Sequence, residues 1–219
     1  MKKKLIVGAL LLAAGTTAFA QSKFEGFYGQ VGLGFESVSP QLSNSVLNGG
    51  GYNNVSMTSS VDTKTSPTGV FTVGYTMPVS KDFYLGYGAE YNPIASQKGN
   101  YSYASGAVVG QIQKQNSYNI FIAPSIAIGN DGMAYTKIGY TGASVKNNTT
   151  GSTLNPTGYS LGLGYKQIID GGIYGFAEAN YSQYSTMSSS GSVTGTSYTV
   201  TTNSSSNTYN LLVGIGYKF

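Results

Sequence analysis

Glu90, Lys137, Lys166 and Glu178 are the residues of this chain best placed to do chemistry. Each is a charge set among apolar, aromatic or small neighbours, as in Gly88-Ala89-Glu90-Tyr91 and Ala177-Glu178-Ala179. Charges withdrawn from water must find partners, because an unpaired buried charge is costly. Two acids and two bases in such settings have two uses. They can neutralise one another as an internal network that fills a protein's interior, or they can line a polar conduit or gate for ions. Glu36 and Lys218 are two further charges, nearer the ends of their segments.

Catalysis is poorly provided for. The chain has no His and no Cys among its 219 residues, which removes the commonest general base and the usual metal ligands. A Ser–Lys pair is formally available, since Lys64, Lys98, Lys114 and Lys146 lie in or near Ser-rich stretches. With so many serines, such neighbours arise by chance. The Gly-x-Gly pairs Gly32/Gly34, Gly86/Gly88, Gly162/Gly164 and Gly214/Gly216 fall inside strand-like segments rather than at a strand-to-helix turn. They are therefore not phosphate loops, and they leave room for large side chains across a narrow interior. No enzyme activity, cofactor or metal is expected.

The N-terminus reads as an export signal. Lys2-Lys3-Lys4 is a positive n-region, Leu5 to Ala14 a short apolar core, and Ala18-Phe19-Ala20 a small-x-small cleavage site. About ten apolar residues are too few to span a bilayer, which takes ~20. Residues 1–20 are thus expected to be removed, leaving 21–219 as the functional domain. Cleavage takes three of the 12 Lys and leaves nine against eight acidic residues, so no basic patch invites nucleic acid.

The elements that must hold the four charges alternate with period two. Eight segments do so, at about 26–37, 66–78, 82–93, 116–128, 133–145, 157–168, 172–185 and 207–219. In the last, Tyr209, Leu211, Val213, Ile215, Tyr217 and Phe219 share one face, with Asn210, Leu212, Gly214, Gly216 and Lys218 on the other. The same phase puts Glu90, Lys137, Lys166 and Glu178 on the inner face, where lipid does not charge the ~2–4 kcal/mol that a midplane Lys costs. Connections alternate between tight Gly/Asn/Asp turns and long stretches, about 38–65, 94–115, 146–156 and 186–206, rich in Ser, Thr, Asn and Gly. Short turns on one rim and long loops on the other describe an up-and-down barrel spanning an outer membrane. Charged residues are only 9% of the chain, which suits a surface that meets lipid.

With its signal, alternating strands and final Tyr217-Lys218-Phe219, the chain resembles the small eight-stranded outer-membrane barrels of the OmpA/OmpX type, in the outer membrane protein beta-barrel family of Gram-negative bacteria. That resemblance implies an all-β, eight-stranded antiparallel transmembrane β-barrel in a bacterial outer membrane. It further implies that Tyr209, Leu211, Val213, Ile215, Tyr217 and Phe219 form the signal read by the barrel-assembly machinery. Enzymes of similar architecture depend on His, which this chain lacks. Outer-membrane lipid and lipopolysaccharide are the expected surroundings. The expected role is structural or adhesion-like, with a cell-surface ligand met through the long loops, whose Tyr101-Ser102-Tyr103 and Ser197-Tyr198-Thr199-Val200 alternate as exposed hairpins would. The alternative is a narrow porin-like channel for ions or small solutes. The lead-in from Gln21 to Glu25 is expected to have no role.

Overall fold

The computed structural model describes residues 23–43, 45–103, 107–192, 197 and 199–219. The expected signal peptide and its cleavage site, and Tyr198 of the last long loop, lie outside the described residues. Thirteen strands are present among the described residues, and eight of them close a ring. The ring runs β1 (Gly26–Leu42), β5 (Lys64–Pro78), β6 (Phe83–Asn92), β8 (Ala107–Ile128), β9 (Gly132–Asn147), β11 (Thr157–Asp170), β12 (Ile173–Ser192) and β13 (Thr199–Lys218), and returns to β1. Every pairing in it is antiparallel. The last strand closes the barrel on the first from Tyr28↔Lys218 to Leu42↔Ser204, and the Phe219 amide donates to Phe27 at 2.9 Å. Closure leaves no sheet edge for lipid to meet.

Alternation inverts the usual rule of burial. Leu211, Val213 and Ile215 are 68%, 65% and 66% exposed, whereas Leu212 between them is 4% exposed. Aliphatic side chains on the outside are stable only against an apolar solvent, so these faces meet lipid. Tyrosines mark the upper limit of the belt as three register pairs, Tyr91–Tyr118, Tyr140–Tyr159 and Tyr181–Tyr209. Phe27, Tyr75 and Tyr87 mark the lower limit, with ring centroids 4.8 and 5.7 Å apart in sequence. From Tyr209 to Tyr217 is eight residues at about 3.4 Å each, or ~20 Å of height after tilting, near the apolar band of such barrels.

Inside, glycines make the room that the sequence suggested. Gly164 lies opposite Tyr135, Gly162 opposite Lys137, Gly214 opposite Phe176 and Gly216 opposite Tyr174. A Cβ on Gly164 would sit 2.3 Å from the Tyr135 ring, so each large side chain lies flat over a neighbour's bare backbone. One short turn shows the other use of glycine: Gly171 and Gly172 join β11 to β12 with φ of 53° and 91°, the left-handed pair that a tight hairpin of this twist needs.

The long-loop side departs from the expected boundaries. A tilted transmembrane strand needs ~9–11 residues, yet β8 has 22, β12 has 20 and β13 has 20. Much of what reads as loop is barrel wall standing above the tyrosines. Shorter strands brace it. β2 (Ser45–Gly49) pairs with β13 and with β3 (Tyr52–Met57), β4 (Ser59–Val61) pairs with β7 (Gly99–Tyr103), β7 lies on β8, and β10 (Thr153–Leu154) lies on β9.

Candidate functional site

The lumen is closed in layers, beginning at the short-turn end. There the lead-in chain contributes a stopper: Phe24 is 9% exposed, packs with Met133, and meets Tyr84 edge-on at 6.0 Å. Lys23 bonds Asp131 at 2.7 Å beside it. This gives Lys23 and Phe24 of the lead-in a structural place that the sequence did not assign them, because an aromatic ring is better buried in the barrel mouth than left in water. Gln21 and Ser22 lie outside the described residues.

Lys166 occupies the next layer. Its ammonium lies 3.8 Å from the Tyr28 ring centroid, 5.1 Å from that of Tyr174 and 5.2 Å from that of Tyr135. The aromatic faces supply the negative potential, and Lys166 forms no ion pair among the described residues. Above it, Lys137 Nζ lies 2.5 Å from Glu90 Oε1 and 2.6 Å from Glu178 Oε1. Tyr135 donates to Glu178 at 2.8 Å, and Asn119 donates to Glu90 at 3.0 Å. Of the four charges read from the sequence, three thus meet directly, and Lys166 stands one layer below among rings.

An amide and hydroxyl layer follows. Asn92 donates to Thr68 at 2.8 Å, Ser160 to Asn119 at 2.8 Å, and Asn180 to Asn210 at 2.8 Å. Above it Lys114 Nζ bonds Glu36 Oε2 at 2.6 Å and Ser117 Oγ at 3.0 Å. Its ammonium is committed to Glu36, so the contact with Ser117 is an ion pair carrying a hydroxyl rather than a base set on a nucleophile. Three carboxylates, Glu36, Glu90 and Glu178, are therefore paired by two lysines, Lys114 and Lys137, inside the barrel. Two cavities between these layers measure about 10 and 40 Å³.

Glu36 keeps the phase of Gly32 and Gly34, so its inward direction is legible in the sequence. Lys114 is different. Period two, counted back from Asn119, points Ser117 and Gln115 inward and Lys114 outward. A bulge between Lys114 and Asn116 shifts the strand by one residue and turns Lys114 in. No feature of the sequence marks that bulge.

Over the Lys114–Glu36 layer lies a cavity of about 530 Å³, walled by the upper parts of the ring strands and by β7 and β10. At its rim Lys64 bonds Asp62 at 3.1 Å. Hydrogen bonds from the Lys64 side chain and the Asn100 backbone hold the Asp62 carboxyl below the usual carboxylate range.

No family model matches the chain, and no curated protein matches it in sequence. Solved structures share its fold. The outer membrane protein OprG from Pseudomonas aeruginosa aligns over 91% of this chain and 99% of its own, with a TM-score of 0.61 at 16% identity. Looser matches include Ail, the attachment invasion locus protein of Yersinia pestis, at 13% identity over 89% and 99% of the two chains with a TM-score of 0.43. Neisserial surface protein A matches at 14% identity over 89% and 97%, with a TM-score of 0.47. At such identities the likeness is one of fold. With the closed ring and the apolar belt, it defines the class: a small eight-stranded outer-membrane β-barrel, integral to the bacterial outer membrane.

Proposed function

We propose that this barrel is a non-catalytic, non-conducting protein whose work is done at its long-loop end, in surface interaction of an adhesion-like kind. The observation that carries this reading is the layered lumen. Cavities of about 10 and 40 Å³ separate ion pairs with donor–acceptor distances of 2.5–2.6 Å. A space of ~10–15 Å³ holds a single water, so these two cavities have room for one to a few waters, which supports a filled interior over an open conduit. On the far side, strands of 20 and 22 residues raise a large polar surface above the membrane. Lipid and lipopolysaccharide are its proposed surroundings, the barrel-assembly machinery its partner during insertion, and a cell-surface molecule its partner afterwards.

Planar-bilayer recording of refolded residues 21–219 tests the reading. Silence is expected. Reproducible steps, altered when Glu90 or Lys137 is neutralised, would overturn it and establish a narrow channel for ions or small solutes.

A further inference from the structure

The cavity of about 530 Å³ above the Lys114–Glu36 pair is occupied by none of the closing layers. Its size falls within the ~300–1,000 Å³ of small-molecule sites. The layer just beneath Lys114 and Glu36 is lined by Thr, Ser and Asn, such as Thr68, Asn92, Asn119 and Ser160. Where the barrel rises above the tyrosines, Val38, Leu42, Ile112, Val145, Leu154 and Met187 converge from five strands on one space.

This height matters. Val38 and Leu42 pair with Thr208 and Ser204, both on the far side of Tyr209 from the membrane, so lipid does not account for apolar side chains there. Apolar groups gathered in a concave mouth above the membrane are stabilised by an occupant that covers them.

Polar chemistry in the wall narrows the class of occupant. Both lysines that line the cup are taken, Lys64 by Asp62 at 3.1 Å and Lys114 by Glu36 at 2.6 Å, so its wall presents no free cation to select an anion among the described residues.

From these features we infer that the cup binds a small, uncharged molecule with a largely apolar body. This rests on the reading that the barrel works at its long-loop end, and it names what that end holds.

The test uses the neutral fluorophore N-phenyl-1-naphthylamine with the full mature chain in lipid nanodiscs, against empty nanodiscs of the same lipid. Saturable binding of one probe per barrel is expected. Carboxylates placed in the apolar wall by Val38→Asp and Ile112→Asp together should weaken it about tenfold or more. Ser204→Trp, which fills the cup without adding charge, should weaken it too and covers the case in which the double variant fails to fold, judged by loss of the heat-dependent gel shift. Uptake no greater than by empty nanodiscs would overturn the proposal, as would saturable binding indifferent to the folded variants. A silent barrel that binds no probe sinks this inference alone, and a conducting barrel that binds it sinks the preceding reading alone.

Discussion

At the scale of single residues, the two lysines of the lower lumen differ in what holds them. Lys137 lies between two carboxylates at 2.5 and 2.6 Å. Removing it would leave Glu90 and Glu178 facing each other without a cation, and breaking a buried pair in this way costs ~3–5 kcal/mol. Lys166 has rings rather than carboxylates around it. A desolvated cation–π contact returns only ~2 kcal/mol against a desolvation penalty of several. Lys137→Met is therefore expected to lower the unfolding midpoint of the refolded barrel in urea sharply, while Lys166→Met leaves it level or raises it. Equal losses in the two variants would show that neighbouring rings and neighbouring carboxylates stabilise an ammonium equally here.

At the scale of elements, β13 has two jobs that pull in one direction. Its outward face carries Tyr209, Leu211, Val213, Ile215 and Tyr217, with Phe219 just beyond its end, and its edge pairs with β1 from Tyr28↔Lys218 to Leu42↔Ser204. Phe219 is 75% exposed, and its ring stacks edge-on with Tyr217 at 5.2 Å. A side chain so exposed adds little to internal packing, so a defect from Phe219→Ser would arise from recognition during insertion. The expected outcome is reduced outer-membrane content of the variant in cell fractions, with normal refolding of the same variant in detergent. Normal content would remove the proposed assembly role from this residue.

At the scale of the whole molecule, the barrel is filled by paired side chains below and elaborated above. The β12–β13 extension supports the upper wall: Thr199, Val200 and Thr201 hold the β2–β3 hairpin, and Ser45 bonds Thr202 at 2.6 Å. Deleting residues 188–204 should therefore abolish any adhesion to cells or surfaces that the protein confers, while the belt and lumen, held by other strands, keep the protein in the membrane. Adhesion that survives the deletion would place the contact surface elsewhere.

Much of this architecture is legible in the chain because a barrel wall is a one-dimensional pattern. Each residue faces lipid or lumen according to parity, so Tyr209 to Phe219 on one face and Gly162, Gly164, Lys166 on the other follow from counting by two. The same parity sends Glu90, Lys137 and Glu178 inward before any contact is known. Tertiary structure decided what parity cannot carry. It chose which inward charges meet, because the cross-barrel neighbours of Lys137 depend on the stagger of strands 47 and 41 residues away. It turned Lys114 inward through a bulge, raised the supposed loops into walls, and folded Phe24 back into the mouth. These outcomes depend on distances closed around the ring, and a local period of two holds no information about them.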